Sequence, residues 1–219
     1  MKYIRFLSAL IIIIIILCSY EAYLKPVAPD SAVANLDTVS VNISMDADLS
    51  TDYINAVNDA LYLMPGDVIK TFTEDNWKII ISRNIDLTDT EYEGMDNPAT
   101  AGLINFTTKT ISVSPIMDDT LMSAEIVKKQ LIHELGHYVD SLYNISDNTD
   151  FIKIYNNNKD YVDFDLAGID KTEENSVDIE YATSNVYEFF ASTFKCYVLN
   201  KDYLLNNYPE IYQFYVNNM

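Results

Sequence analysis

Apolar and polar positions alternate over Thr38-Val-Ser-Val-Asn-Ile-Ser, the period-two pattern of a half-buried strand. A period nearer 3.6 follows in Tyr53, Ile54, Val57, Ala60 and Leu61, with Ser50 or Thr51 as the capping residue, and this helix is expected to end near Met64-Pro65-Gly66. Pro65 suits the opening of a second short helix. Trp77-Lys-Ile-Ile-Ile-Ser reads as a half-buried or central strand, and Gly102 to Phe106 and Thr110 to Ser114 as two more. Thr107, Thr108 and Lys109 between them have the length of a hairpin loop. Beyond Pro115 the pattern turns helical over residues 121–144, 150–158, 184–199 and 208–217. With strands first and helices after, an α+β fold is expected.

The first residues stand apart from this pattern. Lys2 and Arg5 precede an apolar stretch over residues 6–18 that contains six consecutive isoleucines. A basic start followed by a short apolar core is the grammar of an export signal. The stretch is shorter than the roughly 20 apolar residues that span a bilayer comfortably. Residues 1–22 are therefore expected to be a signal peptide or membrane anchor, which places the rest of the chain outside the cytoplasm. Residues 23–37, rich in Pro, Ala, Asp and Ser without a period, read as a flexible tether, and residues 38–219 as a single domain.

Composition narrows the function. The chain has 219 residues with 14 basic and 33 acidic side chains, a formal charge of −19. Such a field opposes binding to nucleic acid or to an anionic membrane surface, so contact with a membrane is expected only through the N-terminal segment. Twenty-seven aromatic residues, 17 of them Tyr, exclude an intrinsically disordered chain. Beyond the N-terminal segment Cys196 is the only thiol, so no disulfide can staple the domain. Its apolar surroundings, Phe194-Lys-Cys-Tyr-Val, suit a small buried residue. A monomer is expected.

The two histidines of the chain both lie in His133-Glu134-Leu135-Gly136-His137. On a helix, residues four apart stack on one face, so both imidazoles can reach a single ion. Glu134 projects about 100° around the axis, where it can touch a water on that ion but cannot join the ligand set. Val127, Leu131, Leu135, Tyr138 and Leu142 form an apolar arc at helical spacing, with Asp118, Asp119 and Thr120 as capping candidates. Gln130, His133, His137, Asp140 and Ser141 fall on the adjacent arc, a polar stripe suited to the floor of a cleft. A catalytic zinc ion takes three protein ligands and leaves one position open. No third histidine remains, so a carboxylate is expected. Glu188, which interrupts the apolar run Val186-Tyr-Glu-Phe-Phe-Ala, competes with a plain reading as the wet face of its helix, and Glu180 and Glu174 are further candidates. Asp140, three residues after His137, can accept a proton from an imidazole and fix its tautomer.

His133-Glu-Leu-Gly-His-Tyr-Val-Asp140 and Glu188-Phe-Phe-Ala-Ser-Thr-Phe, followed by Tyr208-Pro-Glu-Ile-Tyr-Gln-Phe, resemble the metallopeptidase domain of anthrax lethal factor. In size and export signal the chain is more similar to the secreted Pro-Pro endopeptidases of Gram-positive bacteria. The resemblance covers about residues 75–217. It implies a zincin-like fold, a Zn2+ cofactor and Glu188 as the third ligand beside His133 and His137. It also implies that Glu134 is the catalytic base and that Tyr181, seven residues before Glu188, stabilises the tetrahedral intermediate. The family often carries an acid four residues after the third ligand, where this chain has Ser192. The partner it implies is a protein or peptide substrate, extended along an edge strand near Ala101 to Phe106, under a loop over residues 91–100. That loop lacks the tryptophan expected of a Pro-Pro enzyme. The expectation is thus an exported zinc endopeptidase, with Pro-Pro specificity as an extension of the resemblance. The alternative is a cell-surface binding or adhesion module that keeps the fold without turnover.

Overall fold

The computed structural model describes residues 40–88, 101–117, 119–160 and 179–219, all within the unit spanning Asn35–Met219. The segments read as signal and tether, the loop over residues 91–100, and Glu174 lie outside the described residues. Four strands make one sheet in the order β1-β2-β4-β3: β1 (Asn42–Met45), β2 (Lys78–Ile81), β3 (Gly102–Asn105) and β4 (Thr110–Val113). The first three neighbours in that order run parallel, and β3 returns antiparallel along β4 through the expected hairpin, pairing Ile104 with Ile111. β3 thus forms one border of the sheet. The small mixed sheet and the helices around it make an α+β fold.

Strand alternation decides which face is covered. Ile79, Ile81, Ile111 and Val113 are fully buried on one side, whereas Lys78 is exposed. Burying each such side chain contributes about 1.5–3 kcal/mol. Helix α1 (Asp52–Tyr62) and α2 (Gly66–Glu74) connect β1 to β2. Ser50, one of the two proposed caps, accepts the Asp52 amide at 3.2 Å, and Pro65 stands immediately before α2.

Helix α3 (Ala124–Tyr143) packs across β3 and β4 on one flank and along α1 on another. Its apolar arc is as patterned: Val127, Leu131, Leu135 and Tyr138 are buried. Its start differs from expectation. Ile116–Met117 and Thr120–Leu121 pair as the short hairpin β5–β6, which leaves Thr120 extended and unable to cap. Ser123 caps instead, accepting the Ile126 amide at 3.3 Å. Asn144 stops the helix in the left-handed conformation that its short polar side chain tolerates.

The remaining helices are α4 (Thr149–Asn158), α5 (Ile179–Thr183), α6 (Val186–Leu199), α7 (Lys201–Asn207) and α8 (Pro209–Asn218). Phe151, Phe189, Phe190, Phe194, Phe214 and Tyr215 fill the space among α4, α6 and α8 with ring contacts between 4.9 and 6.2 Å. Aromatic pairs of this kind add about 0.5–1.5 kcal/mol each beyond their buried area. A second cluster joins Phe72 and Trp77 to Tyr138 of α3, edge to face at 5.0 Å. Helices α3 and α6 connect the two clusters. Their contact is so close that a Cβ on Gly136 would lie 2.9 Å from the Cα of Ala191.

Candidate metal centre

The close α3–α6 contact sets the functional geometry. With Gly136 against Ala191, the nearby His133 and His137 on α3 and Glu188 on α6 turn toward one another. Asn185 fixes the first turn of α6 by accepting the Tyr187 and Glu188 amides, each at 3.0 Å. Glu188 Oε2 then lies 3.1 Å from His133 Nε2 and 3.5 Å from His137 Nε2. The imidazoles stand nearly perpendicular, 89° apart, with centroids separated by 4.9 Å.

The three ligand atoms lie within 4.8 Å of one another, and their side chains are only 12–15% exposed. Ligands bound to tetrahedral zinc at about 2.0–2.1 Å stand about 3.3 Å from each other. The His–Glu separations bracket that figure. Two imidazole nitrogens and one carboxylate oxygen, converging at ligand spacing with little water access, could hold a divalent metal ion. Among the described residues, Glu188 is the carboxylate gathered with the histidines. Glu180 falls in α5, and its side chain is outside the described residues.

Electrostatics follow from this enclosure. Burial pushes the His133 imidazole down to about 4, against the pull of Glu188. Burial also acts downward on His137, but the hydrogen bond to Glu188 and the charges of Glu134, Glu188 and Asp140 outweigh it and raise it. For Glu188, burial acts upward and is overcome by both imidazoles, which hold its carboxyl well below the usual carboxylate range. A neutral His133 and an ionised Glu188 are the states that bind metal.

Glu134 is buried beside the cluster, under the border strand. Burial pushes its carboxyl up to about 7, opposed by the charges of His137 and Lys195 and by the backbone of Ile104. A carboxylate with this affinity for a proton suits transfer to and from a reacting group near neutral pH. Gly102 makes room for it: a Cβ there would lie 2.6 Å from Glu134 Oε1 and 2.9 Å from its Cγ.

The other residues named from the sequence occupy varied positions. Tyr181 is on α5, 46% exposed, on the segment that leads through Ser184 and Asn185 into the helix of Glu188. Both Asp140 carboxylate oxygens are taken by Ser146, its backbone amide at 2.7 Å and its hydroxyl. Among the described residues no hydrogen bond joins Asp140 to an imidazole, so it acts on His137 through charge. The reason is geometric: three residues past His137, Asp140 points toward the chain as it turns back after Asn144. Ser192 is 1% exposed, and its hydroxyl finds no partner among the described residues. Cys196 is buried as expected, and burial pushes its thiol up to about 12.

Sequence reasoning missed Lys195. Buried on α6, it makes no ion pair or hydrogen bond among the described residues, and burial pushes its ammonium down to about 8. Its place seven residues after Glu188, on the same face of the helix, was the available signal.

The fold recurs among solved structures. The chain is similar to the Pro-Pro endopeptidase PPEP-2 from Paenibacillus alvei, with a TM-score of 0.57 and 16% sequence identity, over 84% of this chain and 99% of that one. At that identity the likeness concerns the fold. No protein-family model matches the sequence, and no curated protein matches it.

Proposed function

We propose that this protein is an exported zinc-dependent endopeptidase that hydrolyses peptide bonds in an extracellular or surface protein. The observation that carries the reading is the convergence of His133, His137 and Glu188 at ligand spacing, with the buried Glu134 carboxylate beside them. The fold shared with an endopeptidase supports it.

Zinc held by these three side chains would supply Lewis acidity toward the scissile carbonyl and toward a water molecule. Glu134, next to His133 but turned away from the ligand set, takes the proton of the attacking water and returns it to the leaving amine. Tyr181 donates its hydroxyl to the oxyanion that develops on the carbonyl oxygen. An extended peptide adds to the border strand β3 by main-chain hydrogen bonds, which aligns its backbone without regard to sequence. Specificity then belongs to the side-chain contacts, and Pro-Pro bonds are the first to try. The basic and apolar residues at the N-terminus support export, and the acidic composition supports a protein partner over a nucleic acid.

The test incubates purified residues 36–219, loaded with zinc, with a mixed peptide library enriched in Pro-Pro sequences, beside a Glu134→Ala variant, and reads cleavage by mass spectrometry. Cleavage by the wild type and its loss in Glu134→Ala, with zinc content unchanged, is the expected result. Equal cleavage by the two removes Glu134 as the base. Zinc bound with no cleavage of any peptide would favour the non-catalytic binding module, for which Ser192, standing where the family often carries an acid, is an argument.

A further inference from the structure

We propose that Gly102 is a positioning residue whose missing side chain fixes the Glu134 carboxylate between the border strand and the histidines. The inference rests on the peptidase reading for its effect on turnover, but the placement itself is a matter of packing.

The argument begins with what an added methyl group would meet. At Gly102 the nearest atoms are all of one side chain: Glu134 Oε1 at 2.6 Å, Cγ at 2.9 Å and Cδ at 3.1 Å. These are closer than carbon atoms approach without displacement. Gly102 begins β3, paired with Val113 of β4, so its backbone is anchored by the sheet. Of the two partners in the clash, the glutamate side chain is the softer. It pivots about three torsions, whereas the strand is tied into a ladder, and the side chain yields first.

The backbone of Ile104, on the same strand, also acts on the Glu134 carboxyl and favours its charged form. The gap that admits the carboxylate therefore belongs to one strand, β3. The contrast with Gly136 sharpens the assignment. There the added methyl would meet the backbone of Ala191, which cannot swing aside, so the same substitution acts on helix packing instead.

Conventional reasons for a glycine are absent at position 102. It lies within a regular strand, and its backbone is not among the positive-φ conformations that disfavour other residues. Alanine there is compatible with the chain, and in a strand it costs less conformational entropy than glycine. Gly102→Ala is thus expected to fold and melt like the wild type while moving the base.

The experiment compares wild type, Gly102→Ala, Glu134→Asp and the double variant in zinc content, melting temperature, kcat, KM and crystal structure. Gly102→Ala should keep zinc, melting temperature and KM, lose about a hundredfold in kcat, as expected for misplacing a reacting group by about 1 Å, and show a displaced Glu134 carboxylate. In the Glu134→Asp background, where the shorter side chain leaves room for the methyl group, adding Gly102→Ala should cost nothing further in kcat. A Gly102→Ala protein with wild-type kcat, with an unmoved carboxylate, or with its loss confined to KM overturns the proposal. If the wild type hydrolyses no peptide, the peptidase reading falls, and the crystallographic comparison alone decides for Gly102 by whether the carboxylate has moved.

Discussion

Lys195 shows how one residue can oppose the fold that contains it. Lys195 is 8% exposed and its ammonium is held down to about 8, while a lysine in the unfolded chain titrates near 10.4. Below about pH 8 the charge is present in both states and its burial costs on the order of 2–3 kcal/mol. Between about 8 and 10.4 the unfolded chain holds more protons than the folded one, so this group's contribution to stability improves as pH rises through that window. Lys195→Met, which fills a similar volume without charge, should be more stable than wild type by on the order of 2 kcal/mol at pH 7, with the gain fading by about pH 10.4. Urea midpoints of both proteins at pH 7 and pH 10 decide it; a difference that does not change with pH removes burial of the charge as the cause. At this scale the sequence was legible where chemistry is local. His133, Glu134 and His137 are named by their spacing, whereas Lys195, set among Phe194, Cys196 and Tyr197, looks like any surface lysine until the helix is docked.

The pair α3 and α6 carries the site, and its contact is legible only in part. The apolar arc of α3 and the capping Asn185 of α6 follow from helical period and capping chemistry. That Gly136 meets Ala191 does not, because nothing local to either residue encodes the crossing point. Within an isolated helix, replacing glycine by alanine is favourable by about 1 kcal/mol. In this fold the sign should reverse: with the new methyl 2.9 Å from the Ala191 Cα, the helices must part at a cost of about 1–3 kcal/mol. Glu188, three residues before Ala191, would move with its helix. Gly136→Ala is expected to melt lower and to bind zinc more weakly, read by thermal unfolding and by competition with a chelator. A variant with wild-type melting and zinc affinity would show the contact to be soft. The hairpin β5–β6 illustrates the same limit. Asp119 and Thr120 are good capping residues by type, but pairing of Met117 with Thr120 takes them out of use, and Ser123 caps in their place.

For the molecule as a whole, the three proposed ligands come from two distant helices, so an ion bound there would clamp the fold where α3 and α6 meet. Binding to the folded state alone stabilises by about 2.7 kcal/mol at a free concentration a hundred times the Kd. Zinc should therefore raise the melting temperature of the wild type and a chelator should lower it, while Glu188→Ala should lose the zinc-dependent shift. An undiminished shift in Glu188→Ala would mean that the ion sits elsewhere. The sequence by itself determined the α+β class, the hairpin of β3 and β4, the apolar arc of α3 and the pairing of the two histidines, since each depends on a period or spacing within a few residues. Only the tertiary structure decided that Glu188, 55 residues after His133, closes the cluster, that Asp140 turns to Ser146, and that the Glu134 carboxylate lies against Gly102. Those contacts join segments far apart in the chain, and their distances are set by how closely whole elements pack, which no local pattern of residues records.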